Sequence, residues 1–253
     1  QPFVLSVASH HNIAKGYMSA FFRQCLRGET QFEGLFKGEW VPAAVQASDA
    51  NMQIYPQYED TTVLTIDDFE GAHSVTSWST STIGGAVTQT GLPATPQEND
   101  LRTIDPQSPH LTAGLLLRWD NIGDKLHYDL SGLTPAQRDV RSFNAVSFRI
   151  TQRVGSASNP SGQPQDLRLT LTDGGGHSRA IRISKLTDIP FPWVRADGLT
   201  KSAMRTVRIP LGVFHIHCFN VDQVDLQNVV SLDFEFEEKP AGEIEIDSVQ
   251  FTS

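Results

Sequence analysis

Cysteine is nearly absent from the sequence: Cys25 and Cys218 are its only two thiols. A disulfide framework is therefore excluded as the source of stability, and the chain must rely on a packed core. The two cysteines fall in segments of different pattern, so a bridge between them is not favoured. Long apolar runs are missing too. Nothing approaches the roughly 18 apolar residues of a membrane-crossing helix. The stretch from Gln1 has neither the basic start nor the apolar core of a secretory leader. No Asn-x-Ser/Thr acceptor occurs. Positive charge is in deficit, with 20 Lys and Arg against 29 Asp and Glu, a net charge of -9. Such a chain repels phosphate backbones, so nucleic acid is not an expected partner. No Gly-x-Ser-x-Gly elbow is present. The one glycine run, Asp173-Gly174-Gly175-Gly176-His177, lies between two strand patterns and reads as a hairpin turn, not a phosphate loop.

What is there divides into two patterns. Phe3-Val4-Leu5-Ser6-Val7 reads as a short buried strand and Ala8 to Asn12 as a polar turn carrying His10 and His11. From Ile13 to Leu26 apolar residues recur at helical spacing, through Ile13, Tyr17, Ala20 and Phe21. Arg23 and Arg27 suit the last turn, and Gly28 is the expected stop. The reading for residues 1–45 is thus strand, histidine loop, helix. Residues 46–61 have no period and read as a linker.

From residue 62 to 253 the grammar is β. Val146-Ser147-Phe148-Arg149-Ile150, Leu167 to Leu171, Val207 to Leu211 and Leu232 to Phe236 alternate apolar and polar residues, with Gly, Pro, Ser and Asn between them. About eight half-buried strands without intervening helices imply an antiparallel two-sheet jelly-roll sandwich. The last strand contains an irregularity. Ile244 and Ile246 share a face, whereas Val249 and Phe251 fall on the opposite parity. One inserted residue near Asp247-Ser248, a β-bulge, would return both pairs to the core.

The ends of this region, Leu64-Thr65-Ile66-Asp67-Asp68-Phe69-Glu70 and Gly242 to Phe251, resemble those of galactose-binding-like β-sandwich domains, which include carbohydrate-binding modules. Leu126 to Gly132 and Phe143 to Phe148 are similar as well. The resemblance covers about 190 residues, and the order of the segments carries it more than any single motif. It implies a structural calcium ion where the first and last strands meet, with Asp67, Asp68, Glu70 and Asp247 as oxygen ligands. The alternative is that these acids cap turns. It also implies a polysaccharide ligand and a secreted or cell-surface location. Sugar recognition needs flat aromatic faces beside polar groups. Trp78, Trp119, Tyr128 and Trp193 are the candidates, with Arg118, Asp120, Asn121 and Arg195 as polar partners. A place in the core or at a strand end is the alternative for each.

Residues 3 to 45 resemble the C-terminal end of an α/β-hydrolase of the esterase or lipase type, on Val7-Ala8-Ser9-His10-His11-Asn12 and the helix ending Phe21 to Glu29. That resemblance implies a catalytic histidine, His11 with His10 as second choice, which would relay a proton for a serine. Chain order in that fold places the serine and its acid before Gln1, on an upstream hydrolase core. Such a chain would not hydrolyse alone. A stand-alone, non-catalytic carbohydrate-binding module is the competing reading. His215-Ile216-His217-Cys218 is too sparse for a metal site. Asp233, Glu235 and Glu237 alternate with core residues, as a solvated outer strand face does, which argues against a glycosidase built on the sandwich.

Overall fold

The computed structural model describes residues 5–46, 54–57, 62–71, 74, 76–106, 108–194, 198, 200–215 and 223–253. The chain forms two compact units, one of Gln1–Glu59 with Val194–Leu199, the other of Asp60–Trp193 with Thr200–Ser253. No helix among the described residues is long and apolar enough to cross a membrane.

In the first unit the described residues do not follow the strand and loop expected ahead of the helix. Helix α1 runs from Val7 to Arg27, so it begins six residues before Ile13 and takes His10 and His11 into its first turns. Leu5 and Ser6 are not in a strand; Phe3 and Val4 lie outside the described residues. The cause is local. The Ser6 hydroxyl accepts the Ser9 amide at 3.1 Å, satisfying a donor that the first turn would otherwise leave bare, and no proline or glycine interrupts the chain until Gly16. The other end follows expectation. Gly28 takes the left-handed conformation, φ 66°, and its amide bonds to the Gln24 carbonyl. The helix buries Ser9 and Ala20, in a unit whose other buried side chains include Leu35 of α2 (Glu33–Phe36) and Val45 of α3 (Ala43–Gln46). Tyr17 and Phe21 meet Phe36 edge-on at 6.2 and 6.3 Å. Cys25 is a free, exposed thiol, and Cys218 lies outside the described residues.

The second unit is the expected sandwich. Its strands are β1 (Val63–Asp67), β2 (Ala86–Thr90), β3 (Gln97–Asp100), β4 (Ala113–Trp119), β5 (Asp124–Asp129), β6 (Ala145–Gln152), β7 (Arg168–Asp173), β8 (Ser178–Arg182), the two-residue β9 (Trp193–Val194, of which Val194 is counted with the first unit) and β10 (Thr200–Lys201), β11 (Arg205–Pro210), β12 (Val229–Phe236) and β13 (Gly242–Thr252). One sheet has the order β11-β6-β13-β4-β3, with β1 also paired to β13; the other is β2-β5-β12-β7-β8. Every pair in both is antiparallel. Between them lies one apolar core. Leu115, Leu117, Phe148, Ile150, Ile244 and Ile246 face it from the first sheet, and Leu126, Leu169, Leu171, Leu232, Phe234 and Phe236 from the second. The glycine run between β7 and β8 is a hairpin turn in which the Asp173 carboxylate accepts the Gly175 and His177 amides.

The inserted residue in β13 is Ser248. Its φ is +55°, and the pairing of β13 with β6 shifts register between Asp247 and Gln250. Ile244, Ile246, Val249 and Phe251 are all fully buried as a result. Trp119 stacks on Phe236 with ring centroids 4.3 Å apart and donates its indole N–H to the Lys239 carbonyl at 2.9 Å. Its ring fills the space that a side chain at Gly242 would need, so this position tolerates only glycine.

Deleting Ser248 should turn Val249 and Phe251 outward and abolish cooperative urea unfolding. Ser248→Gly removes a left-handed residue strained by about 1 kcal/mol and should raise the urea midpoint slightly. Gly242→Ala should lower it by about 2 kcal/mol or more through overpacking against Trp119.

Candidate functional site

The four candidate aromatics separate by burial. Trp119 and Tyr128 are fully buried core side chains and present no ring face to solvent. The cause is parity: both stand on the inward positions of β4 and β5, in line with Leu117 and Leu126. Trp193 is 41% exposed on β9 and does not line the cleft described next. Of their candidate polar partners, Arg118 and Asp120 pair with each other at 3.2 Å, the Asp120 and Asn121 amides donate to the Asp124 carboxylate, and Arg195 lies outside the described residues.

Trp78 is different. It is half-buried in a short 3-10 turn (Ser77–Ser79), packs its inner side on the core, and lines an open cleft of about 850 Å³. The turn is built from its own hydroxyls. Ser77 donates to the Ser74 carbonyl at 2.9 Å and Ser79 to the Thr76 carbonyl at 2.7 Å, which fixes the backbone carrying the indole. The opposite wall is β3, the edge strand of its sheet, followed by helix α4 (Leu101–Ile104). Ser74, Thr76, Thr95, Thr103, Gln97, Asn99 and the buried Glu98 are also among the lining residues. A flat apolar ring beside many neutral hydrogen-bonding groups is the chemistry that a sugar ring requires. Among the four aromatics proposed from sequence, only Trp78 is in this cleft. The polar residues of β3 and α4 escaped sequence reading, because Gln97-Glu98-Asn99-Asp100 has no apolar alternation to mark it as a strand.

Behind Glu98 lie Asp67 and Tyr128. Burial pushes the Asp67 carboxyl up to about 7, and the nearby Glu98 charge adds to that. Burial likewise raises the Tyr128 hydroxyl well above its ordinary value, with the charges of Asp67 and Glu98 acting the same way.

The four acids proposed for calcium fall into two pairs, Asp67 with Asp68 about the Thr82 hydroxyl and Glu70 with Asp247, whose charges act on each other. The Thr82 hydroxyl lies 3.1 Å from one oxygen of Asp67 and 2.7 Å from Asp68, whose carboxylate also accepts the Glu70 amide. Glu70 accepts the Ala113 amide at 2.9 Å. Asp247 accepts from Thr112 at 2.9 Å and from Arg149 at 2.8 Å. Among the described residues no three acids, histidines or cysteines gather as a metal site would require. In this arrangement the four acids do not fit a calcium ion, and the cation beside Asp247 is the buried Arg149 guanidinium. That guanidinium also lies 3.1 Å from the His110 ring. Next along the strand, Glu245 is fully buried and shares a side-chain hydrogen bond with the Asp105 carboxyl. Burial first, and then the neighbouring Asp105 charge, push its carboxyl up to about 8.

The outer face of the five-stranded sheet is charged but self-satisfied. His127 approaches Asp233 at 2.6 Å, Thr170 donates to Glu235 at 2.8 Å, and Arg168 bridges Glu237 and Glu238 at 2.8 and 2.6 Å. Asp233 stands on the outer face as its parity requires, yet it is only 5% exposed because its neighbours' long side chains cover it. Of the histidines expected on a catalytic loop, His10 and His11 are exposed on helix α1. The loop geometry on which the hydrolase resemblance rested is therefore not present.

No family model matches the chain, and no curated protein matches it. Among solved structures it is similar to a family 11 carbohydrate-binding module of a cellulosomal cellulase of Clostridium thermocellum, with 14% identity over 77% of this chain and 96% of that one and a TM-score of 0.46. A family 30 module from a cellulosomal cellulase of the same organism is 14% identical over 76% of this chain and 98% of its own, with a TM-score of 0.45. A xylan-binding family 22 module of Paenibacillus barcinonensis is 13% identical over 78% and 97%, with a TM-score of 0.43.

Arg149→Met should cost about 3–5 kcal/mol, because it leaves Asp247 buried without its cation. Urea unfolding measures this, and pairing the change with Asp247→Asn should recover part of the loss. The folded pKa of Glu245 lies above its unfolded value, so the folded state holds that proton more tightly. Stability linked to Glu245 is complete below about pH 4.5 and is lost as pH rises towards 8. Glu245→Gln should flatten the fall in urea midpoint over that window.

Proposed function

We propose that the sandwich unit is a non-catalytic glycan-binding module that takes its ligand in the Trp78 cleft. The carrying observation is the half-buried Trp78 ring set opposite the hydroxyls and amides of β3 and α4 in one open cleft. A sugar ring stacks its apolar face on the indole while its hydroxyls exchange hydrogen bonds with the walls. This arrangement supplies binding and orientation. It offers no nucleophile with a base beside it, since the Ser and Thr hydroxyls there bond to backbone or lie on the cleft wall without a histidine among the described lining residues. The cleft is held from behind, because β3 pairs with β4 on one side and Trp78 packs on the core on the other. The hydrolase reading of residues 1–45 gains no support from helix α1.

Trp78→Ala should weaken binding to the best ligand on a glycan array by about tenfold or more, roughly 1.4 kcal/mol, with the circular dichroism spectrum and its melting curve little changed. Trp78→Phe should keep most of the affinity. Unaltered binding by Trp78→Ala would place the ligand elsewhere, and no retention of any glycan would remove the assignment.

A further inference from the structure

The cleft wall that includes β3 continues into α4, a helix of only four residues. So short a helix does not hold its own shape in water, and its place is set by what it packs on. Thr103 and Ile104 line the cleft, whereas Leu101 does not. Leu101 is instead fully buried, and its seat is Gly114 of β4. A side-chain carbon at Gly114 would come within 2.6 Å of Leu101 Cδ2 and 3.1 Å of its Cγ, so the isobutyl group rests directly on bare strand backbone. Gly114 alternates with Ala113 and Leu115, which face the core, so Leu101 lies on the outer face of the sheet. Gly114 is also the register partner of Asn99, another lining residue. Hydrogen bonds tie the same turn at both ends. The Leu101 amide donates to the Thr112 carbonyl at 3.0 Å, the Asp105 amide donates to the Leu101 carbonyl at 2.8 Å, and the Asp105 carboxylate accepts the Val154 amide at 3.2 Å.

Resting on the reading of this cleft as the glycan site, we infer that Leu101 is the positioning residue of its wall, and that glycan affinity depends on this side chain although it does not line the cleft. A wall fixed before the ligand arrives need not be ordered during binding, and this strengthens binding. Complementary contacts also require their groups to be held to within about 0.5 Å. Trimming Leu101 removes the apolar contact that seats α4 and leaves Thr103 and Ile104 on a turn tied by hydrogen bonds alone. Trp78 keeps its own support, because it packs on the core.

The test measures, by titration calorimetry on the full chain, the Kd for the oligosaccharide that the unaltered chain retains best on a glycan array. Leu101→Ala should weaken binding about tenfold or more, and Leu101→Met, which keeps the side-chain volume, should retain most of the affinity. Val207→Ala is the comparison. Val207 is a fully buried core residue on β11, at the edge of the sheet away from β3. Its truncation should lower the melting temperature and leave the Kd within about twofold. Amide hydrogen exchange gives a readout without ligand: the Asp105 amide should exchange faster in Leu101→Ala and not in Val207→Ala. Should Leu101→Ala not fold, Leu101→Val, one methylene shorter, serves in the same comparison with a smaller loss. An unchanged Kd on truncating Leu101, or an equal loss in Val207→Ala, would overturn the positioning role. Failure of the unaltered chain to retain any glycan would instead overturn the glycan-binding assignment, on which this inference rests.

Discussion

Strand β13 must bury apolar side chains on one side along its whole length, and an uninterrupted strand of its sequence cannot do so. Ile244 and Ile246 reach the core only if Val249 and Phe251 point away, unless a residue is inserted. Ser248, held at φ +55°, is that residue. The rest of the sandwich hangs on it. β13 pairs with β1, β4 and β6, so the kink sets where the first strand joins the last and where β4 starts. Through β4 it also positions β3, the edge strand that forms one wall of the cleft.

The outer side of the same strand explains the unusual burial of charge. Glu243, Glu245 and Asp247 alternate outward, which in an uncovered sheet would leave them in water. Here each is at most 9% exposed. The guanidinium of Arg149 and the hydroxyl of Thr112 satisfy Asp247, Arg153 satisfies Glu243 at 2.6 Å, and Glu245 is accommodated by keeping its proton. A metal is one way to hold acids together at such a junction. Arginine supplies the positive charge at Asp247, and a retained proton removes the negative charge at Glu245.

On the five-stranded sheet Lys125, Arg168 and Arg182 face acids across a strand or turn. The Trp78 cleft lies at the sheet edge, where pairing stops at β3. There the lining is rich in residues with neutral donors and acceptors, and it includes the apolar ring of Trp78. An edge combines exposed polar groups with a rigid core directly behind them, and this lets a shallow site hold a fixed shape.

The strands with clean alternation, such as Val146 to Ile150 and Leu232 to Phe236, were legible directly, because burial on one face imposes a period of two. The bulge was legible for the same reason, as a break in parity between Ile246 and Val249. Helix α1 was misread at its start: Val7 to Asn12 looks like a strand end and a polar turn when taken alone, and only the Ser6 cap and the packing of Ser9 and Ala20 decide for helix. Parity placed Trp119 and Tyr128 in the core, yet composition alone offered them as sugar platforms, since an aromatic residue looks the same in either role. The sequence by itself determined the β architecture, the register of its last strand and the acidic character of the chain, all of which depend on neighbours along the strand. Only the tertiary structure decided which tryptophan borders open space, which acids meet and which cation they meet, because those contacts join residues as far apart as Arg149 and Asp247, whose proximity is set by sheet order and not by any local pattern.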